Sequence, residues 1–533
     1  VYTGAANDPS PYNDTPATIN NYAQWGDAAI GLRAVATGGN ATALGRSARA
    51  AAANAIAIGG GNGSDANNNT EKTEATGEKS TAIGYNAKAG AEKSTAIGAG
   101  ATANGLDSFA GASGTASGDA SVAIGKVSKA MDSSATAVGD GTNALGQGAT
   151  ALGSNATAKN GFDLAVGRSV TSEGGASTVV GYNSNVKGNQ STGMGSWINI
   201  TSKKATGIGY QVNVSGDNAI GIGSSGDSTF VTASGANSIA MGTSAVANQE
   251  KAIAIGANSK GTDIGATALG RDTEASGASA TALGALASAK GSTATAVGMQ
   301  ASASGTDSVA IGKTASATNN RALAVGTNAN ATGENSVAVG SGSGGSGNQG
   351  FVGSLNSTGG AVNTNRTINY ATTAEGDTAV AVGYYANAKN KGVAMGQTAL
   401  AATGGVAIGK GVLEDTGNNL AGGVVIGQDS ASTGFYSLAM GRNAVASGST
   451  SMAIGYAASA EGGFAVAMGR KVSATGTSTA IGHHATATNG GLAIGSQEND
   501  TSNDRTTASA KGAVAIGKNT KANSEDAVAI GTN

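Results

Sequence analysis

A short motif that ends in glycine recurs at a nearly fixed interval along most of this 533-residue chain. It consists of a small residue, a variable residue, Ala, a large aliphatic residue and Gly, as in residues 121–125 and 308–312. Between Gly31 and Gly531 there are 33 copies, and most neighbouring copies are 13 or 14 residues apart. A fixed period of this kind is typical of repeat architectures, in which each unit packs only on its neighbours.

The pattern within each copy predicts β-strands. Small and large residues alternate, and this is the period of a strand whose successive side chains point to opposite faces. A second half-motif follows each glycine, as in residues 313–318, so each 14-residue unit reads as two short strands joined by two tight turns. Gly and Asn occupy the turns, where a positive φ is needed. The sequence therefore predicts an all-β parallel β-roll, or β-solenoid, of 14-residue coils.

Both faces of the motif strand are apolar. In the copy at residues 308–312, Ala310 points away from Val309 and Ile311, and the same choice of small and large residues recurs in the other copies. A narrow roll has only one interior, so the second apolar face needs another cover, and we expect a neighbouring chain to provide it. The sequence leaves open which column faces the interior and which faces the neighbour.

Composition excludes several classes of function. The formal net charge is −2, so there is no basic field that would attract nucleic acid. There is no cysteine, which excludes disulfides and thiolate metal sites. With only two histidines, a nucleophile and its general base are hard to assemble. We therefore predict a protein that is not an enzyme and has no cofactor and no metal.

Three local patterns suggest ligands but lack the context that each ligand requires. Residues 60–65 match the core of calcium-binding rolls, which need tandem copies, and here there is one. Residues 221–226 match a dinucleotide fingerprint without a following helix. His483 and His484 are adjacent, and on a strand they would point to opposite faces, which disfavours a shared metal.

The 14-residue unit with its Ser-Val-Ala-Ile-Gly strand closely resembles the head repeat of YadA-like trimeric autotransporter adhesins of Gram-negative bacteria. The resemblance covers residues 27–533. It implies a left-handed parallel β-roll, a parallel homotrimer, and display on the outer membrane towards the outside. It also implies attachment to host matrix, to host cell-surface proteins or glycans, or to other bacterial cells. The chain carries no heptad stalk, and we expect it to be the head of a longer protein.

The chain divides into a short N-terminal segment and the repeat array. Residues 1–26 contain all three prolines and are expected to cap the first coil, because an open roll exposes an unpaired strand edge. Residues 27–533 form the predicted roll, and insertions interrupt it near residues 60–80, 224–238, 341–379, 410–423 and 496–513. Insertions in repeat arrays map to surface loops, which often bind ligands.

The longest insertion supplies the residue types that the repeats lack. Phe351, Arg366 and Tyr370 are the predicted ligand-binding residues, because aromatic residues and Arg are enriched at interface hot spots. The alternative is that the aromatic side chains pack back against the roll. Two other functions compete with an adhesin: a solenoid enzyme would show clustered charged residues, and an ice-binding roll would show an unbroken Thr-x-Thr ladder. The sequence shows neither pattern.

Overall fold

A computed structural model describes residues 18–19, 26–61, 71–225, 229–342, 371–414, 422–496 and 505–532. The chain forms two compact units, residues 1–258 and residues 259–533, and each is built from the same kind of coil. In these described ranges the regular structure is entirely β-strand, and there is no helix long and apolar enough to cross a membrane.

Each coil contains one longer and one shorter strand. In one representative coil, Val122–Ile124 is the longer strand and Lys129–Ala130 is the shorter one. Both strands of this coil pair in parallel and in register with the same strands of the preceding and the following coil. The backbone N–H of Val122 donates to the carbonyl oxygen of Ala135 in the next coil at 2.8 Å. The prediction of a parallel β-solenoid with coils of about 14 residues is confirmed.

The strands of the first unit follow this plan throughout. Its longer strands are Ala28–Ile30, Thr42–Leu44, Ile56–Ile58, Thr81–Ile83, Thr95–Ile97, Phe109–Gly111, Val122–Ile124, Thr136–Val138, Thr150–Leu152, Leu164–Arg168, Thr178–Tyr182, Thr192–Ser196, Thr206–Tyr210, Ile220–Ser224, Ile239–Met241 and Ile253–Ile255. Its shorter strands are Thr18–Ile19, Val35–Ala36, Arg49–Ala50, Glu74–Ala75, Lys88–Ala89, Thr102–Ala103, Thr115–Ala116, Lys129–Ala130, Asn143–Ala144, Thr157–Ala158, Thr171–Ser172, Asn185–Val186, Asn199–Ile200, Val212–Val214, Val231–Ala233 and Val246–Ala247.

The second unit repeats the same alternation. Its longer strands are Thr267–Leu269, Thr281–Leu283, Thr295–Val297, Val309–Ile311, Leu323–Val325, Val337–Val339, Val380–Val382, Val393–Met395, Val406–Ile408, Val424–Ile426, Leu438–Met440, Met452–Ile454, Val466–Met468, Thr479–His483, Leu492–Ser496, Val514–Ile516 and Val528–Ile530. Its shorter strands are Lys260–Gly261, Glu274–Ala275, Ser288–Ala289, Ser302–Ala303, Ser316–Ala317, Asn330–Ala331, Thr373–Ala374, Asn387–Ala388, Leu400–Ala401, Leu413–Glu414, Ala431–Ser432, Val445–Ala446, Ser459–Ala460, Ser473–Ala474, Thr486–Ala487, Thr507–Ala508 and Lys521–Ala522.

The N-terminal segment contributes one strand to the sheet that the shorter strands form. Thr18–Ile19 pairs in parallel with Val35–Ala36, so ladder pairing begins before the first glycine motif. The other residues of the predicted cap, up to residue 25, lie outside the described residues. That residues 1–26 cap the roll stays a prediction.

Alanine lines the interior of the roll. The central residue of the longer strand and the second residue of the shorter strand point inward, and in the representative coil these are Ala123 and Ala130, both fully buried. Val122 and Ile124 flank Ala123 and point outward, where they remain partly exposed. This settles the choice that the sequence leaves open: the small column lies inside and the large aliphatic column lies outside.

A block of coils in the first unit uses a different interior. The inward residues of successive shorter strands are here Val186, Ile200 and Val214, and the inward residues of the longer strands between and after them are Gly193, Gly207 and Gly221. A Cβ atom on Gly193 would lie 2.6 Å from Cγ2 of Val186. Loss of volume on one wall therefore compensates for gain on the other, as close packing in a narrow core requires.

Two turns close each coil, and both hold left-handed residues. The turn after the longer strand begins with glycine, as at Gly125 with a φ of 131°, and its second following residue is also left-handed, as at Val127 with a φ of 58°. This second position accepts bulky residues, including Trp197 and Leu286. Positive φ is uncommon outside glycine and unfavourable for β-branched residues. The turn geometry therefore overrides residue preference and projects these side chains outward.

Candidate ligand-binding surface

The outward face of the longer strands is apolar along both units. In the second unit Leu269, Leu283 and Ile311 are each 41% exposed, although they are among the largest aliphatic side chains of their coils. The outward residues of the shorter strands are instead mostly Ser, Thr, Asn, Lys or Glu, as at Ser302. The roll thus has one apolar wall and one polar wall, and apolar surface of this extent marks a contact site.

Insertions concentrate in one of the two turns. The described coil residues stop at Gly61, Ser225, Gly342 and Ser496 on one side of four insertions, always within two residues after the motif glycine. The fifth insertion, after Glu414, lies in the opposite turn. The turn that follows the longer strand is therefore the position at which the coil most often accepts additional residues.

One insertion end is fixed by a hydrogen bond to a neighbouring turn. The hydroxyl of Tyr85 donates to the carboxylate of Glu71, and this bond raises the pKa of Tyr85 above its ordinary value. Glu71 precedes Thr73, whose Oγ1 donates to the carbonyl oxygen of Gly84 at 2.6 Å. The chain thus returns to the roll through contacts with the next coil.

A groove in the first unit combines this turn with the polar wall. Its first column consists of the turn residues of three successive coils, Asn183, Trp197 and Gln211, with φ values of 48°, 59° and 53°. Its second column consists of the outward residues of the shorter strands that follow. They are Asn185, Asn199 and Asn213, which are paired in register. We call these six residues, together with Phe230 at one end, the amide groove.

The amide groove is open and has a volume of about 470 Å³. Trp197 is 47% exposed and Phe230 is 51% exposed, so two aromatic side chains face its space. The ring of Tyr182 meets that of Trp197 edge-on, with centroids 6.4 Å apart, and this contact holds the indole in place. The groove therefore presents a fixed aromatic surface beside a column of amides.

The amides of the groove are only partly satisfied by one another. Nδ2 of Asn199 donates to Oδ1 of Asn213 at 2.9 Å. Oδ1 of Asn185 is buried and has no hydrogen-bond partner among the described residues. The hydrogen bond between Asn199 and Asn213 is exposed, so both amides keep donor and acceptor capacity towards the groove. None of the side chains that line the groove carries a charge.

The two histidines do not lie on opposite faces, so that expectation was wrong. His483 ends the strand Thr479–His483, and His484 adopts a left-handed turn conformation with a φ of 57°, which brings the two rings to 4.6 Å between centroids. Nη1 of Arg470 lies 2.7 Å from Nε2 of His483. In the described part of the chain no group of three His, Cys, Asp or Glu residues could hold a metal ion.

The other residues singled out in the sequence are placed as follows. Phe351, Arg366 and Tyr370 lie outside the described residues, so their role in binding stays a prediction. Gly221 lies within the strand Ile220–Ser224, and its fingerprint therefore opens no helix. The amide groove has a sequence signal that we did not recognise, namely three asparagines at intervals of 14 residues beside a tryptophan.

Comparison with known proteins identifies the repeat. The family model described as the YadA head domain repeat (2 copies) matches residues 29–62, 75–101, 90–110, 116–142, 133–156, 233–259, 264–287, 289–315, 317–343, 370–386, 432–456, 446–471 and 508–533. A search of curated proteins found no match. None of the matched segments falls between residues 157 and 232, where the Val, Ile and Gly interior and the amide groove are located. The matched segments together cover more than half of the chain, which therefore belongs to the YadA head domain repeat family.

Proposed function

We propose that this chain attaches a bacterium to host matrix, to host cells or to other bacterial cells, as a parallel homotrimer displayed on the outer membrane. Membership of the YadA head family implies an adhesin of the bacterial cell surface. The apolar outer wall carries the proposal of a trimer, because three chains can cover that wall while their polar walls and turns stay in solvent. That the chain is not an enzyme stays a prediction, supported by a family that is a structural adhesin domain.

The trimer is tested on the apolar wall. Replacing Leu283 and Ile311 by Glu is expected to abolish the trimer, because three copies of each carboxylate would be buried together. Both side chains are exposed in the single chain, so its roll should persist. Sedimentation velocity should show a trimer for the wild type and a monomer for the double variant.

The matched control places the same charges on the polar wall. Ser288 and Ser316 are outward residues of shorter strands, and Glu274 already occupies this column one coil before Ser288. The variant with Glu at both serine positions should remain a trimer. A monomeric wild type, or a double variant on the apolar wall that stays trimeric, would contradict the proposed assembly.

We further propose that the longest insertion contributes to recognition through Phe351, Arg366 and Tyr370. Three copies in a trimer would provide avidity, so that weak single contacts suffice. The ends of this insertion are well placed for a clean deletion. From Gly340 to Gly383 the chain runs 43 residues, and removal of residues 343–371 restores a 14-residue step. Thr372, whose Oγ1 donates to the carbonyl oxygen of Gly383 at 2.6 Å, is retained.

Deletion of residues 343–371 is expected to keep the trimer folded and to reduce attachment strongly. The measurement is binding of beads coated with the head to collagen, fibronectin, laminin, epithelial cells and bacterial cells. Deletion of residues 62–72, which shortens an insertion in the same turn of another coil, is the control and should leave binding unchanged. Wild-type binding after the first deletion would rule out this insertion as the binding site, and no binding by the wild type to any of these surfaces would refute the attachment function.

A further inference from the structure

We propose that the amide groove binds a neutral oligosaccharide, which gives the proposed attachment function a ligand class. The inference starts from the lining, which consists of amide and aromatic side chains and Ile198, and contains no ionisable group. An anionic or cationic ligand would find no opposite charge there. A ligand rich in hydroxyl groups finds partners, because each amide offers both a carbonyl acceptor and an NH₂ donor.

The aromatic residues favour a sugar over other neutral polar ligands. The exposed indole of Trp197 offers an apolar face on which the C–H groups of a pyranose ring can lie. Tyr182 fixes that indole by its edge contact, so little side-chain entropy is lost on binding. Phe230 supplies a second aromatic surface at one end of the same groove.

The spacing of the columns fits a chain of sugars. Asn185, Asn199 and Asn213 occupy the same position in successive coils, and neighbouring strands of a sheet are about 4.8 Å apart. This interval is close to the length of one pyranose unit, so successive sugars can meet successive amides. The exposed amide pair of Asn199 and Asn213 offers donors and acceptors to ligand hydroxyls.

An extended peptide fits the groove less well. Peptides that join a sheet gain most of their affinity from main-chain hydrogen bonds to an open strand edge. Here the backbone is already paired with the next coil: the N–H of Asn185 donates to the carbonyl oxygen of Ile198 at 2.7 Å, and that of Lys187 donates to Ile200 at 2.7 Å. The groove is formed by the turn and the polar wall, and not by the outward face of the longer strands that we propose for the trimer.

The test uses the purified trimeric head and an array of neutral glycans, acidic glycans and matrix peptides. The neutral oligosaccharide that binds best is then titrated by calorimetry against the wild type and two variants. Trp197→Asn removes the aromatic surface. Asparagine is compatible with this turn, because Asn183 adopts the same left-handed conformation at the same position of the preceding coil. Asn199→Lys places a charge in the groove on a column where Lys129 is accepted in another coil. Each variant should bind at least about tenfold more weakly.

The matched control is Leu286→Asn. Leu286 occupies the same turn position in the second unit, is 43% exposed and has a φ of 60°. This variant should bind the oligosaccharide like the wild type, and all three variants should keep the wild-type circular dichroism and melting temperature. Wild-type affinity should also be the same at pH 5 and pH 8, because no lining side chain titrates.

Three outcomes would overturn the groove as a glycan site: no neutral glycan binds, only acidic glycans or peptides bind, or Trp197→Asn binds as tightly as the wild type. These results leave the attachment function standing if beads coated with the wild-type head still adhere to cells. If the beads do not adhere but a neutral glycan binds and Trp197→Asn abolishes that binding, the attachment function is refuted and the groove remains supported as a glycan site.

Discussion

Replacing Ala282 by Glu is expected to destabilise the second unit by about 3–5 kcal/mol, because it buries a carboxylate without a partner. Ala282 is fully buried, and it pairs in register with Ala268 and Ala296 inside the roll. The interior is too narrow for the longer side chain, which adds steric strain to the cost of desolvation. Thermal unfolding and hydrogen exchange of residues 267–297 measure the effect.

The control for this variant lies on the outward face of the opposite, polar wall. Ser302 is the outward residue of a shorter strand, and Ser302→Glu should change the free energy of unfolding by less than about 0.5 kcal/mol. Because repeat proteins are stabilised through nearest neighbours, the loss in Ala282→Glu should be confined to adjacent coils. If hydrogen exchange in those coils of the Ala282→Glu variant is the same as in the wild type, the alanine column does not line the interior.

Replacing Gly125 by Ala is expected to destabilise the first unit by about 2–4 kcal/mol, through backbone strain and a clash. Gly125 has a φ of 131°, a region that L-residues rarely adopt. A Cβ atom there would lie 2.3 Å from the carbonyl oxygen of Gly139 in the next coil. Backbone cannot move away as a flexible side chain could, so the stacking of these two coils must open.

Gly60→Ala is the matched control in the same unit. Gly60 does not adopt a left-handed φ, and a Cβ atom built on it meets no atom within 4 Å. Its replacement should change the free energy of unfolding by less than about 0.5 kcal/mol. Comparison of the two melting temperatures separates the effect of the motif glycine, which is stacked on the glycine of the next coil, from a general effect of replacing glycine. Equal melting temperatures would show that close approach between coils does not require glycine.

The candidate site was predictable only in part. The sequence indicated that binding residues would be found where the repeat is interrupted, and it selected Phe351, Arg366 and Tyr370 by residue type. The amide groove was missed, although Asn185, Asn199 and Asn213 follow the period. Asparagine in a repeat of this kind was assigned to turns, where it tolerates a positive φ, and nothing local distinguishes a turn asparagine from one on the polar wall.

The sequence by itself determined the coil. Two strands, two turns and parallel stacking follow from the 14-residue period, the two-residue alternation and the recurring glycine. Each of these is a local property that recurs in every repeat. It also determined the family, since only a tandem array of such motifs distinguishes this roll from other glycine-rich chains.

Only the tertiary structure decided which apolar column lies inside. Alternation assigns residues to two faces but does not say which face is enclosed, and that depends on how far the turns separate the two walls. The walls are close enough that alanine fills the space, and where Val186 enlarges one wall, Gly193 reduces the other. The groove is likewise a tertiary feature, since the stacking of successive coils brings Asn185, Trp197 and Phe230 together.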